Sequence, residues 1–335
     1  MGTERLMEKI REQRDVYDSL KKGDAGLVCY REFENGEWGT DDANYTNRLR
    51  LAYYLLYCGI DDEEAAAYLF GEELKDRERN SFQGIGSGLR VLTALLGRYN
   101  GDGRYEELFR RAKNANFDCS CGYDPKDGVD ENFENNSLLD CIYLCQEMDY
   151  KDVMAGLVDE WKQDRENGTG RDGSSRGRLI EFNRFLGRDR ENEGLYKKQL
   201  EEILSAKESR VRDIISGYRD MIRYYLQTED YDRGAAYCKM VIETTDYEKI
   251  RTLRLFGDIL EECLEVIAGL ARDGHEPAEA FGLWRWTKEE LERKSRTSWY
   301  GNLYTKGIAA AKVMDEAYAG KLEAEYAEWR KRCRI

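Results

Sequence analysis

The chain has 335 residues, 36% of them charged and 41% hydrophobic, with 67 acids against 53 bases for a net charge of -14. That mixture suits amphipathic helices with one solvated face each, and its negative field repels phosphate backbones and anionic headgroups, which argues against nucleic acid and membrane surfaces as partners. Two prolines leave room for uninterrupted helices, nine cysteines are too few and too scattered for a disulfide scaffold, and no apolar run reaches the roughly 18 residues that span a bilayer.

The first residues, Met1 to Ile10, are charged and lack an apolar signal stretch, so a cytoplasmic location is expected. Residues 1 to 44 are expected to cap the N-terminal end of the helical body. Tyr45, Leu49, Ala52, Tyr53 and Leu56 then recur at the spacing of one helix face. Gly84-Ile85-Gly86-Ser87-Gly88 precedes a predicted helix over 89–96. Glycine strings cradle phosphates where a strand leads in and Lys-Ser/Thr comes next; neither is present, so the string reads as a flexible turn.

From Cys119 to Asn136 the chain is irregular, contains Pro125 and exceeds an ordinary hairpin connection. The stretch ENGTGRDGSSRGR, residues 166–178, crowds glycine, serine and arginine without apolar anchors and predicts a flexible loop between an N-terminal half, 1–165, and a C-terminal half, 179–335. Beyond it, Val211, Ile214, Ile215, Tyr218, Ile222 and Tyr225 share a helix face, and Leu253, Phe256, Leu260, Cys263, Ile267 and Leu270 alternate steps of three and four, the seam of a helix packed along its length. Residues 281–304 are the most aromatic, with Trp284, Trp286, Trp299, Tyr300 and Tyr304. They form core where the last hairpins meet or an exposed docking patch, core being preferred. The mixed-charge residues 297–335 suit a terminal cap helix, and no segment alternates with period two.

An apolar helix, an acidic turn and a second helix recur. Taking Asp62, Tyr105, Tyr150, Arg190, Tyr231 and His275 as equivalent, successive spacings are 43, 45, 40, 41 and 44 residues. Neither helix of such a unit covers its apolar stripe alone, so the expected fold is all-α, an α-solenoid of stacked antiparallel helical hairpins.

Residues 216–243 carry a more specific pattern. Tyr218 supplies a large aromatic, Met221 and Tyr225 fill later core positions, Asp230-Tyr231-Asp232 forms the turn, and Gly234 is a small residue where two helices cross. This segment resembles a tetratricopeptide repeat, with departures: Ile222 replaces a small residue, Val241 replaces an alanine, no proline ends the unit, and the 40 to 45 residue period is nearer that of HEAT and armadillo repeats. The resemblance implies a superhelix whose concave groove, lined by the first helix of each hairpin, binds a peptide or protein segment. Carried over by position, the lining residues are Arg219, Arg223 and Gln227 in the fifth unit and Arg50, Tyr54 and Tyr57 in the first. The competing reading is a solvated face laced with Arg-Glu pairs.

Catalytic chemistry is thinly represented. The single histidine, His275, sits in a turn beside Pro277, with no nucleophile assembled around it. Cys119, Cys121, Cys141 and Cys145 supply four thiols for a zinc ion, but Cys141 and Cys145 fall at helical spacing where small apolar residues are needed anyway. Asp124, Asp127, Asp130 and Glu134 miss the spacing of a calcium loop. The expectation is therefore a non-enzymatic interaction module without a cofactor, binding a protein or peptide, in one version as an acidic inhibitor or immunity-type protein of a basic effector. The alternative is a metal-dependent enzyme or zinc-stabilised protein using the Cys119 to Asn136 loop.

Overall fold

The computed structural model describes residues 2–34, 39–79, 84–167, 173–207, 210–244, 247–272, 277–295 and 298–333, and the chain divides into two compact units, Met1–Ser175 and Arg176–Ile335. It is all-α, with adjacent helices packed in pairs, as the periodicity predicts. Helix ends meet residues 166 and 167 on one side and 173–178 on the other, so the predicted loop is helical at both ends; its centre, 168–172, lies outside the described residues.

Unit 1 runs α1 (Gly2–Arg11), α2 (Arg14–Lys21), β1 (Glu32–Glu34), β2 (Thr40–Asp42), α3 (Tyr45–Tyr57), α4 (Glu63–Arg79), α5 (Ser87–Gly97), α6 (Glu106–Lys113), α7 (Phe117–Gly122), α8 (Leu138–Glu147) and α9 (Lys151–Asn167). Helix α3 is the centre: α1, α2, α4 and α5 all pack on it, and Arg48, Leu49 and Leu51 to Leu56 are buried. The expected N-terminal cap is more than an end piece. Leu6 and Ile10 are fully buried because α1 lies against α3, α8 and α9, joining the first helix of the unit to its last.

The antiparallel pair β1 and β2 was not legible in the sequence, since strands of three residues are too short to show a period. Burial of ionic groups holds it. Arg48 pairs with Asp42 at 2.6 Å and with Glu73 at 2.9 Å, and Arg77 pairs with Glu73 at 2.9 Å and Asp76 at 3.0 Å, all with side chains no more than 2% exposed. The glycine string that reads as a flexible turn lies over this cluster. Gly86 adopts φ 74°, and a Cβ there would stand 2.9 Å from the Arg77 guanidinium. Only a residue without a side chain fits.

Unit 2 runs α10 (Gly173–Phe185), α11 (Asn192–Ser205), α12 (Val211–Gln227), α13 (Tyr231–Ile242), α14 (Tyr247–Ile250), α15 (Phe256–Arg272), α16 (Pro277–Arg293), α17 (Gly301–Met314) and α18 (Glu316–Cys333). Helices α12, α15 and α17 pack in sequence as one layer, and α13 and α16 meet in a second. The seam on α15 holds from Phe256 on: Phe256, Leu260, Cys263, Ile267 and Leu270 are buried in the main core, whereas Leu253, its predicted first member, lies half-buried in the turn before the helix. Trp284, Trp299 and Tyr304 also belong to that core. The terminal stretch is a full hairpin, α17 and α18, closed by Tyr304 stacked on Tyr326 at 5.4 Å.

Of the five equivalent turn positions that are described, Asp62, Tyr105, Tyr150 and Arg190 fall between consecutive α-helices and Tyr231 is the first residue of α13; His275 lies outside the described residues. Four of these turns share one closing device, which among the described residues also ends α2, where Gly23 takes φ 90° and the Asp24 amide returns to the Ser19 carbonyl. Gly59, Asp149, Gly187 and Glu229 take left-handed φ values of 62°, 53°, 70° and 56°. The next amide returns to a carbonyl five residues back: Ile60 to Leu55, Tyr150 to Cys145, Arg188 to Asn183 and Asp230 to Tyr225. These are Schellman closures, which satisfy carbonyls at a helix end and reverse the chain in few residues. Four of the five described repeat positions thus follow the same mode of helix termination, and the turn at Tyr105 does not.

Candidate functional site

Helices α12, α15 and α17 lie side by side, so polar residues on their outward faces converge. On α15 the segment Asp258, Glu261, Glu262 and Glu265 follows the three-four spacing that puts all four carboxyls along one stripe. Helix α12 brings Arg219 and Arg223 to one side of that stripe, and α17 brings Lys306 to the other. Together with Leu226 these residues line a cleft of about 300 Å³.

The charges interlock. Arg219 Nη2 is 3.2 Å from Asp258, its Nε donates to Glu262 Oε1 at 2.8 Å, and Arg223 stands 3.8 Å from the same oxygen. Lys306 Nζ is 2.8 Å from Glu261 and 2.7 Å from Glu265. Glu262 is only 6% exposed, and its Oε2 is buried with no hydrogen-bond partner among the described residues. Burial pushes its carboxyl up to about 7, the attraction of Arg219 and Arg223 pulling the other way. Burial likewise raises the Tyr300 phenol, and a bond to Glu261 adds to the effect.

A second cleft of about 480 Å³ continues the first, sharing Leu226, Glu265 and Lys306. Its floor is apolar, from Leu264, Ala268, Ala309 and Val313, with Tyr231 and Arg272 at the edge. The groove is therefore half ionic and half apolar, a surface that can accept a side chain of each kind from one segment.

Two of the six residues expected at a groove, Arg219 and Arg223, line this one. Gln227 turns to the preceding hairpin, donating to Asp189 at 2.6 Å. In unit 1, Arg50 donates to the Met148 carbonyl at 2.7 Å and covers the Tyr150 ring at 4.7 Å, closing the end of α8. Tyr54 is 6% exposed, and Tyr57 stacks on Tyr53 at 5.5 Å and meets Phe133 edge-on at 5.2 Å. Those three serve packing because α3 is surrounded where a stack of pairs would have left one face open. The acids of α15 were missed, although their stripe was readable; in a chain with 67 acids it did not stand out.

The four cysteines weighed as zinc ligands do not assemble: Cys119, Cys141 and Cys145 are buried, Cys121 is exposed, and among the described residues no three His, Cys, Asp or Glu side chains form a group able to hold a metal ion. Burial raises the Cys141 thiol to about 11 and the Cys145 thiol to about 12. Among the described residues no helix is long and apolar enough to cross a membrane.

No family model matches the chain, and neither a curated protein nor a solved structure matches it significantly. Fold and groove together define an all-α protein of packed helix pairs with a charged groove across three neighbouring helices.

Proposed function

We propose that the protein is a non-catalytic interaction module whose C-terminal unit binds a basic segment of a partner protein in the groove of α12, α15 and α17. The observation that carries this reading is the stripe of acids in the groove, where two exposed acids, Asp258 and Glu265, and two buried ones, Glu261 and Glu262, face three cations. Two of the acids, Asp258 and Glu265, keep 48% and 40% of their side chains exposed, so a lysine or arginine of the partner can reach them without displacing core. The adjoining apolar half supplies area for a neighbouring aliphatic side chain, and the net charge of -14 accelerates encounter with a basic protein. An acidic inhibitor of a basic effector is one form this takes. Thiols held protonated by burial support a binding role over covalent chemistry, and nine unbridged cysteines suit a reducing compartment such as the cytoplasm. Tetratricopeptide-like hairpins, with the groove on their first helices, are part of the same proposal.

The test uses full-length protein and fluorescently labelled lysine- and arginine-rich peptides carrying leucine, titrated by anisotropy at rising salt. Asp258→Asn with Glu265→Gln removes two exposed charges and is expected to weaken binding about tenfold and flatten its salt dependence, with the melt changed by less than about 0.5 kcal/mol. Basic peptides that fail to bind, or bind the double variant as tightly, reject the reading.

A further inference from the structure

The groove of α12, α15 and α17 holds one arginine between two acids of unlike burial. Arg219 sends Nη2 to Asp258 at 3.2 Å and Nε to Glu262 Oε1 at 2.8 Å. The two acids stand one turn apart on α15, Asp258 half-exposed and Glu262 buried. Glu262 Oε2 is buried and accepts no hydrogen bond from the described residues. Ionisation would leave that oxygen uncompensated, so Oε2 is where the carboxyl carries its proton in this arrangement. Burial raises the carboxyl to about 7, which puts the loss of the proton in the neutral range.

The other described groups around Glu262 do not supply the missing donor. Arg223, on α12, stands 3.8 Å from Oε1. Its neighbour Asp220 accepts from Gln199 at 3.2 Å. From α13 comes the buried Cys238 thiol, which is hydrogen-bonded to Cys263. Lys306 of α17 is taken by Glu261 and Glu265, the Tyr300 phenol bonds Glu261, and among the described residues α16 adds nothing to the lining. What can reach Oε2 is Arg219 itself. Its Nε is already on Oε1, and side-on pairing of a guanidinium with a carboxylate places Nη2 on the second oxygen, two parallel bonds that an ionised carboxylate accepts and a protonated one does not. In the structure Nη2 is on Asp258 instead.

We propose that Arg219 is a proton-controlled gate for the basic segment: while Glu262 is protonated Nη2 occupies Asp258, and once Glu262 releases its proton to solvent the guanidinium closes on both Glu262 oxygens and leaves Asp258 free to hold a lysine or arginine of the partner. The gate rests on the reading of this groove as a site for a basic segment and names its regulation. Because a cation bound at Asp258 and an ionised Glu262 favour each other, binding releases a proton and affinity rises with pH.

The test titrates full-length protein by anisotropy with a labelled, histidine-free peptide of lysine, arginine and leucine at constant ionic strength, from pH 6 to pH 8. With a carboxyl at about 7, affinity is expected to rise about tenfold over that range, and calorimetry at pH 6.5 in two buffers of different ionisation enthalpy should show proton release on binding. Glu262→Gln copies the protonated carboxyl in shape and charge, so it is expected to bind at pH 8 as weakly as wild type does at pH 6, with no pH dependence. Asp258→Asn, at a half-exposed position that the fold tolerates, removes the acid that is gated and is expected to flatten the profile too. His275→Gln, replacing the chain's single histidine, is expected to keep it. Peptides that bind at neither pH reject the groove and the gate together. Equal affinity at both, a slope unchanged in either Glu262→Gln or Asp258→Asn, or a slope lost in His275→Gln overturns the gate and leaves the groove standing.

Discussion

Glycine to alanine is the smallest side-chain addition available, and the structure gives it opposite signs at two positions of unit 2. At Gly269, on α15, a Cβ would lie 2.2 Å from Tyr231 Cδ1 and Cε1 and 2.5 Å from its Cγ. The Cγ is fixed close to the backbone of α13, so the ring cannot swing away as a flexible tip would. It must leave its place against the core, where Arg272 also covers it at 5.8 Å and donates to its hydroxyl at 3.4 Å. Overpacking of this severity costs about 2 to 3 kcal/mol, and the better helix propensity of alanine returns about 1, for a net loss of about 1 to 2 kcal/mol. In a unit of this size that lowers the melting temperature by about 2 to 8 °C. Gly282→Ala, in open space on α16, should gain about 0.5 to 1 kcal/mol instead. Tryptophan fluorescence during thermal and urea unfolding reads both, because Trp284, Trp286, Trp299 and Trp329 all lie in this unit. Tyr231→Ala combined with Gly269→Ala should destabilise less than the sum of the single changes. A Gly269→Ala protein that melts at or above wild type would show that α13 and α15 are not in the close contact described.

Glu262 makes stability depend on pH: its carboxyl is raised from 4.5 to about 7 in the fold, so the folded chain keeps a proton that the unfolded chain has released. Its contribution is full below about pH 4.5 and is lost as pH rises through 7, and the stability difference between wild type and Glu262→Gln should fall over that window; a difference constant from pH 5 to 8 by urea titration contradicts the burial argument. In unit 1, Arg48→Met strands Asp42 and part of Glu73 in a dry interior and should cost about 3 to 5 kcal/mol, seen as rapid limited proteolysis, whereas Arg48→Lys keeps a charge and should fall between. Glu229→Gly relieves a left-handed conformation at φ 56° and should raise the melting temperature by a few degrees, about 1 kcal/mol; a lower melt would mean that the Glu229 side chain is needed where it stands.

What the amino-acid sequence settled alone is what depends on neighbours along the chain. Helix periodicity marked α3, α12 and α15, and the turn positions between helices were readable because a helix end needs local partners: a left-handed residue and an amide returning five residues back. Packing decided the rest. The stripe of acids on α15 is a local pattern, but its meeting with Arg219, Arg223 and Lys306 required three helices separated by about 40 residues each to lie in one layer. Arg50, Tyr54 and Tyr57 stand at positions equivalent by repeat to groove residues, yet α1 and its neighbours close around α3 and draw them inward. The same distinction separates Trp284, lost in the core, from Trp286, two residues on, which walls a cleft. Spacing along a helix gives the angle at which a side chain leaves; which neighbour stands at that angle is set by contacts between residues far apart in the chain, and no window of sequence contains them.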